Sequence, residues 1–344
     1  MANWRPTSTH AVLAHRARAL AEVRGFFAAR SVMEVDTPVI VNAPVTDVHI
    51  HSAEVRFPDA PGRFYLHTSP EFAMKRLLAS GSGDIYQICH VARGLERGRH
   101  HNAEFTLIEW YRLGYSLEQL MDEVEALTRH VLGIRAASMR GERVSYVDAF
   151  RSSLGIDPLT APLDTLREAA QAHGLADATY RSVGATADSP PLSRPATEGF
   201  FSETAIRDEL LEFLMGTHIG PSLGKGALTF IHRYPASQAA LARLDPVDPR
   251  VALRFELYGE GIELANGFHE LASATEQRAR FEHDLTERKR LDLPADKMDD
   301  LLLSALEHGL PECAGVAVGF DRLLMLATGA KHIDEVLPFP VERA

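Results

Sequence analysis

The sequence predicts a mixed α+β fold, an antiparallel sheet flanked by helices. Three observations predict it. Hydrophobic residues make up 45% and charged residues 24% of the 344 positions, the balance of an ordinary globular chain. Strand-like segments are scattered among helical ones without regular βαβ alternation, which disfavours a doubly wound parallel sheet. Two of them, Asp84–Arg93 and Glu104–Leu113, flank a polar loop and read as an antiparallel pair carrying an extended functional loop.

The elements follow in order. His10–Arg30 is an amphipathic helix, with Leu13, Ala17, Leu20, Val23 and Phe27 at three- and four-residue steps. The β-like Val32–Val35 follows, before Pro38. Phe64–His67 is a short strand. Thr68 with Glu71 fits a capping box and Pro70 suits a first turn, so a helix starts here and stops at Gly81-Ser82-Gly83. Ser116–Leu132 is a further amphipathic helix, and Val147–Leu154, Leu163–His173 and Phe201–Met215 are helical too. Between them Thr186–Thr197, rich in Pro, Ser and Ala, reads as a flexible excursion. Strands are expected at Leu228–His232, Val251–Leu257 and Gly261–Ala265, and helices at Thr275–Leu291 and Met298–His308. Gly315–Phe320 is a strand with alternate small residues, and a helix runs on from Asp321.

Composition narrows the function. Net charge is −11, so overall charge does not suit nucleic acid, although a local basic groove stays open. Arginine outnumbers lysine 31 to 5, so phosphate or carboxylate sites are expected to use arginine forks. Cys89 and Cys313 suit neither a disulfide framework nor a metal site and read as buried thiols of a reducing, cytoplasmic compartment. No apolar run is long enough to span a membrane.

Four constellations carry chemistry. Phe105, Leu107, Glu109 and Tyr111 share one face of their strand. A carboxylate and a phenol there make a pocket for a buried ammonium, or else an edge strand with a solvated glutamate. Arg93, Arg97, Arg99, His100 and His101 suit a polyphosphate, or else form a solvated basic turn. In Glu263-Leu-Ala-Asn266-Gly267-Phe-His-Glu270 an Asn-Gly turn would bring two carboxylates together as Mg²⁺ ligands, or would close a hairpin with two surface glutamates. Gly315, Ala317 and Gly319 leave one strand face open for a flat ligand or a close backbone, with Arg322 just beyond. Neither a Walker loop nor a Rossmann fingerprint is present.

Taken in order, these pieces resemble a class II aminoacyl-tRNA synthetase core. Glu34-Val-Asp-Thr-Pro38 resembles motif 1, Arg93 through Glu109 motif 2, and Gly319-Phe-Asp-Arg322 motif 3. Gly261 through Glu270 is similar to the lysyl branch. One helix precedes motif 1, leaving no room for an anticodon-binding domain. The chain therefore resembles the shortened, lysyl-tRNA synthetase-like family that modifies elongation factor P, and residues 1–344 are expected to be one catalytic domain with an insertion around 186–197. Tyr234-Pro-Ala-Ser-Gln-Ala-Ala240 and Thr68-Ser-Pro-Glu-Phe72 are similar to that family as well.

The resemblance implies a set of roles. Arg93 and Arg322 hold the phosphates of ATP and are the catalytic pair. His101 and Asn102 lie in the ATP loop, Phe105 stacks under adenine, Glu263 and Leu264 contact ATP, and Gly319 admits the nucleotide. Glu263 and Glu270 are the Mg²⁺ candidates. Ser69, Pro70, Glu71, Glu109, Tyr111, Glu270 and Ala317 form the pocket for (R)-β-lysine or lysine. In it Glu71 takes the α- or β-ammonium, and Glu109 with Tyr111 the ε-ammonium. Ala317 stands where the synthetases carry a glycine, which reshapes the pocket towards the β-amino acid. Leu95 departs from the pattern, standing at a motif 2 position that is otherwise glutamate. The expected activity is adenylate formation and transfer to a lysine of elongation factor P by a homodimer, with tRNA and membrane partners unexpected. The rivals are a minimal lysyl-tRNA synthetase or free amino-acid ligase, and a silent ATP- or lysine-binding regulator.

Overall fold

The computed structural model describes residues 4–59, 62–94, 97–175, 202–294 and 297–344. The expected excursion at 186–197 and the departure at Leu95 lie outside these residues. The elements in chain order are α1 (His10–Ala28), β1 (Met33–Glu34), β2 (Ile40–Val41), β3 (Glu54–Val55), β4 (Phe64–Leu66), α2 (Glu71–Ala79), β5 (Ile85–Ala92), β6 (Glu104–Leu113) and α3 (Leu117–Leu132). Then come β7 (Arg140–Ser145), α4 (Tyr146–Leu154), α5 (Leu163–Ala172), α6 (Glu203–Leu214), β8 (Ala227–His232) and β9 (Arg254–Gly259). The chain closes with β10 (Ile262–His269), α7 (Ala274–Arg290), α8 (Asp300–Gly309), β11 (Cys313–Gly319) and α9 (Phe320–Thr328).

Two compact units are distinguished, one made of residues 1–137 with 267–344 and the other of residues 138–266. In the first, β6 is central: β5 pairs with it antiparallel on one side and β11 antiparallel on the other. The short β1 adds to β5 in parallel, and β2, β4 and β3 form a small antiparallel sheet of their own. One face of the β5–β6 pair is a hydrocarbon seat for α1. Phe27 stacks on Tyr86 at 4.3 Å and meets Trp110 edge-on at 5.2 Å. Alternation then sends Gln87, Glu109 and Tyr111 to the opposite face. Ser116 and Gln119 complete a capping box that starts α3, and α3 buries Leu120, Val124 and Leu127 along one stripe.

The second unit has its own core. Its strand β7 runs parallel to β8, and β8 antiparallel to β9. Tyr146, Phe150, Leu166, Leu210, Leu211, Leu214 and Ile231 pack together under α4, α5 and α6. Gly224 has φ +66°, and a Cβ there would fall 2.6 Å from the Tyr258 carbonyl oxygen, so glycine alone fits this approach of two backbones. No helix among the described residues is long and apolar enough to cross a membrane.

Three local expectations are corrected. The helix α2 is not started by a Thr68–Glu71 capping box. Pro70 is its N-cap, and the Glu71 N–H donates to Ser69 Oγ at 3.0 Å instead. The Glu71 carboxylate is engaged one turn onward by Lys75 rather than reaching back. No turn forms at Asn266-Gly267. The strand β10 runs unbroken through both residues, so nothing folds Glu263 back onto Glu270. Turn propensity here yields to the strand. Finally, Cys89 is half-buried rather than buried, while Cys313 is buried, and both thiols are free.

Candidate active site

Glu109 and Tyr111 lie in the first unit, on a strand paired on both sides. Glu109 is 2% exposed, so the solvated-edge alternative falls. Ser69 Oγ–H donates to its Oε2 at 2.7 Å, and Tyr111 O–H to its Oε1 at 2.8 Å. Both donors are neutral. Burial raises the Glu109 carboxyl above its ordinary range, and the nearby charges of Glu71 and Glu270 push the same way, against the two hydroxyls. Burial likewise keeps the Tyr111 phenol protonated, as do Glu109, Glu71 and Glu270.

Beside this carboxylate lies an ion triad. Lys75, 1% exposed, reaches Glu71 Oε1 at 2.7 Å and Glu270 Oε2 at 2.6 Å. Burial alone would lower its ammonium, but the Glu270 and Glu71 carboxylates outweigh burial and raise it. Burial raises Glu270 too, with Lys75 opposing. Two buried carboxylates and the partly buried Glu71 thus surround one lysine, which pairs with Glu71 and Glu270. Lys75 was not assigned a role from the sequence, although Glu71 and Lys75 at i,i+4 on a helix were a readable signal.

Strand β11 flanks this cluster on the far side of β6. Ala317 stands opposite Glu109, and Gly315 opposite Tyr111. A Cβ on Gly315 would collide with the Tyr111 ring and fall 2.6 Å from Glu270 Oε1. The space left by this glycine is therefore filled by pocket side chains rather than held open for a flat ligand. Ser69, Pro70, Glu71, Glu109, Tyr111, Glu270 and Ala317 all belong to the first unit, and the structure links most of them by these contacts or by register.

A second cluster gathers at the other end of β6. Arg93 Nε–H donates to the Thr68 carbonyl at 3.3 Å, and its guanidinium lies 5.1 Å from the Phe105 ring. Arg322 Nε–H donates to the His100 carbonyl at 3.2 Å, and its Nη2 meets His101 Nε2 at 2.6 Å. Burial lowers His101 to about 3, helped by Arg322, His100 and Arg93. The ring is neutral at pH 7 and can accept from Arg322.

The remaining loop arginines do other work. Arg99 Nε–H donates to the Lys331 carbonyl at 2.7 Å. Arg97 is hydrogen-bonded to Asn102 and ion-paired with Glu342. Asn102 is buried, donates to the Glu104 carbonyl at 2.6 Å and accepts from Val341 N–H at 3.2 Å. These contacts brace the loop against the last residues of the chain, an outcome between a phosphate nest and a solvated turn.

A brace unseen in the sequence sets the second cluster. Arg16 on α1 donates to Asp321 Oδ1 at 2.5 Å and to Thr106 Oγ1 at 2.8 Å, and Thr106 N–H donates to Asp321 Oδ2 at 2.7 Å. Thr106 follows Phe105 in the chain and Asp321 precedes Arg322, so one guanidinium couples the two neighbourhoods. Glu263 and Leu264 lie in the second unit, where Leu264 is buried and Glu263 is felt by Arg254.

Among the described residues no three His, Cys, Asp or Glu side chains gather to hold an ion. Lys75 already neutralises Glu270, so this carboxylate is not free to hold a metal.

Comparison with known proteins places these geometries in context. A family profile described as tRNA synthetases class II (D, K and N) matches residues 1–343. A Vibrio cholerae protein named elongation factor P–(R)-β-lysine ligase is 46% identical over 347 residues, covering 99% of each chain. Proteins of the same name from Pectobacterium carotovorum and Klebsiella pneumoniae are each 45% identical, over 99% and 100% of this chain.

Proposed function

Because the chain belongs to the class II tRNA synthetases of the D, K and N type, we propose that it is an ATP-dependent ligase that joins (R)-β-lysine, or lysine, to elongation factor P. The observation that carries the substrate assignment is Glu109. It is a buried carboxylate with two hydroxyl donors and no cation of its own among the described residues. A pocket of this kind is completed by an incoming ammonium, and a substrate without one leaves the carboxylate unpaired at high cost. Glu71 at the mouth of the Lys75 triad takes the second ammonium.

The chemistry needs no side-chain nucleophile. The substrate carboxylate attacks the α-phosphorus of ATP, an aminoacyl-adenylate forms and pyrophosphate leaves. The amine of a lysine on elongation factor P then attacks the acyl carbon, an amide forms and AMP leaves. Arg93 and Arg322 are the fixed positive groups that meet charge developing on the phosphoryl oxygens. Phe105 offers its ring to adenine, and His101 and Asn102 hold the loop around it. Glu263 and Leu264 are assigned to the nucleotide from the family pattern. A divalent ion, Mg²⁺ by its fit to phosphate oxygens, would arrive with the nucleotide and neutralise phosphate charge. Glu263 is the carboxylate kept for it.

Residues 1–344 are read as one catalytic domain, a reading supported by the family profile's span of residues 1–343. The exposed Met33, Val39 and Ile40 flank the motif 1 segment and support a homodimer through that face. A translation factor as substrate supports a cytoplasmic location. The test is mass spectrometry of elongation factor P after incubation with the protein, ATP and each lysine isomer. One added β-lysyl group is expected. Pyrophosphate exchange with no isomer, using folded protein, sinks the ligase reading, and labelling of tRNA instead would make it a synthetase.

A further inference from the structure

Gln87 on β5 stands directly opposite Glu109 on β6, and residues opposed in an antiparallel pair project from the same face. Ala317 opposes Glu109 from β11 on the other side. Gln87, Glu109 and Ala317 therefore form one row across three strands. Gln87 is 1% exposed, and apart from a weak contact with the Cys89 sulfur neither its Oε1 nor its Nε2 has a hydrogen-bond partner among the described residues. A buried primary amide left unpaired is costly, and a protein keeps one where something else completes it.

The neighbours on this face do not complete it. Ile85 is apolar, and the Glu109 oxygens, which accept from the Ser69 and Tyr111 hydroxyls, make no hydrogen bond with the Gln87 amide. An ammonium seated on Glu109 brings three N–H donors. The Glu109 carboxylate takes one and the Tyr111 oxygen can take a second, which leaves the third for an acceptor in the same row. A neutral amide also supplies that acceptor without adding charge to a pocket where three carboxylates already share one lysine.

We propose that Gln87 determines specificity for the amino-acid substrate, its carboxamide oxygen accepting a hydrogen bond from the side-chain ammonium held by Glu109. The inference rests on the lysine-type ligase reading above. The test compares wild type with Gln87→Met, which keeps length and shape but removes the polar end, and with Gln87→Glu, which keeps an acceptor oxygen. ATP–pyrophosphate exchange gives KM for (R)-β-lysine and lysine and KM for ATP, and a melting curve gives Tm. For Gln87→Met the amino-acid KM rises about tenfold or more, the ATP KM stays within about twofold, and Tm is unchanged or higher because a buried orphan has gone. Gln87→Glu, its carboxyl kept protonated by the burial that raises Glu109 and Glu270, still offers a carbonyl oxygen and recovers part of the amino-acid KM. A wild-type amino-acid KM in Gln87→Met, a parallel rise in the ATP KM, or a fall in Tm overturns the inference. If wild type itself exchanges pyrophosphate with neither isomer, the ligase reading falls and takes this inference with it.

Discussion

A carboxylate sealed away from water must hold a proton or find a cation, and Glu109 has no basic partner among the described residues and little solvent to help it. Glu109→Gln keeps the shape and one accepting oxygen, turns the other position into an N–H donor, and removes the charge. It should raise the KM for lysine or (R)-β-lysine by about 100-fold, the order expected when a charged hydrogen-bonded contact is lost, with the ATP KM held within about twofold. Steady-state exchange kinetics read both, and equal loss in the two would show that Glu109 serves the fold. The face shared by Glu109 and Tyr111 was legible because strand alternation is a purely local rule. Lys75 was half legible, since its i,i+4 pairing with Glu71 is local but its bond to Glu270 is not. Gln87 and Arg16 were not legible at all. Their roles arise from register between strands and from a contact between residues 305 positions apart, neither of which is written in neighbouring residues.

Whole elements are placed by the same division between local and distant causes. Strands β5, β6 and β11 and helices α1, α3, α7, α8 and α9 fall within a few residues of where periodicity puts them. The misses are instructive. The short strands β2 and β3 carry two residues each, too few for a pattern, and β7 reads Arg-Gly-Glu-Arg-Val-Ser, a polar run that becomes a strand by pairing with β8. Asn266-Gly267 is a turn signal that β10 overrides. Among the elements, α1 matters most for function, because Arg16 ties it to β6 and α9. Arg16→Leu should leave Asp321 buried without its cation and loosen Phe105 and Arg322 together. We expect the ATP KM to rise about tenfold while the amino-acid KM changes less than twofold, since the Glu109 pocket is built from other contacts. A variant in which both constants rise together would show that the brace holds the whole sheet rather than the nucleotide end.

At the scale of the molecule, the net charge of −11 disfavours a polyanion held by overall attraction and leaves specific arginines to meet phosphate. Acidic excess also bears on how stability varies with pH. Asp284 on α7 accepts from Thr46 Oγ1 at 2.8 Å, and burial raises its carboxyl to about 6, with Asp47 adding to the rise and Thr46, His283 and Arg288 opposing it. Asp208 in the second unit is likewise raised to about 6, first by burial and then by Glu212. An unfolded aspartate titrates near 4, about two units lower. Both groups therefore bind protons more tightly in the folded chain. Their contribution is fully present below about pH 4 and is lost as pH rises through about 6, after which it is flat. Asp284→Asn keeps an oxygen for Thr46 and removes the titration. It should raise stability by about 1 kcal/mol at pH 7.5, a value set well below the full two-unit shift because the side chain is partly solvated. It should also flatten the pH dependence of Tm between pH 4 and 6. Melting curves of wild type and variant across pH 4 to 8 decide it. Parallel curves with the same slope, or a variant less stable at pH 7.5, would mean that Asp284 is held charged in the fold and that its environment favours the carboxylate over the acid.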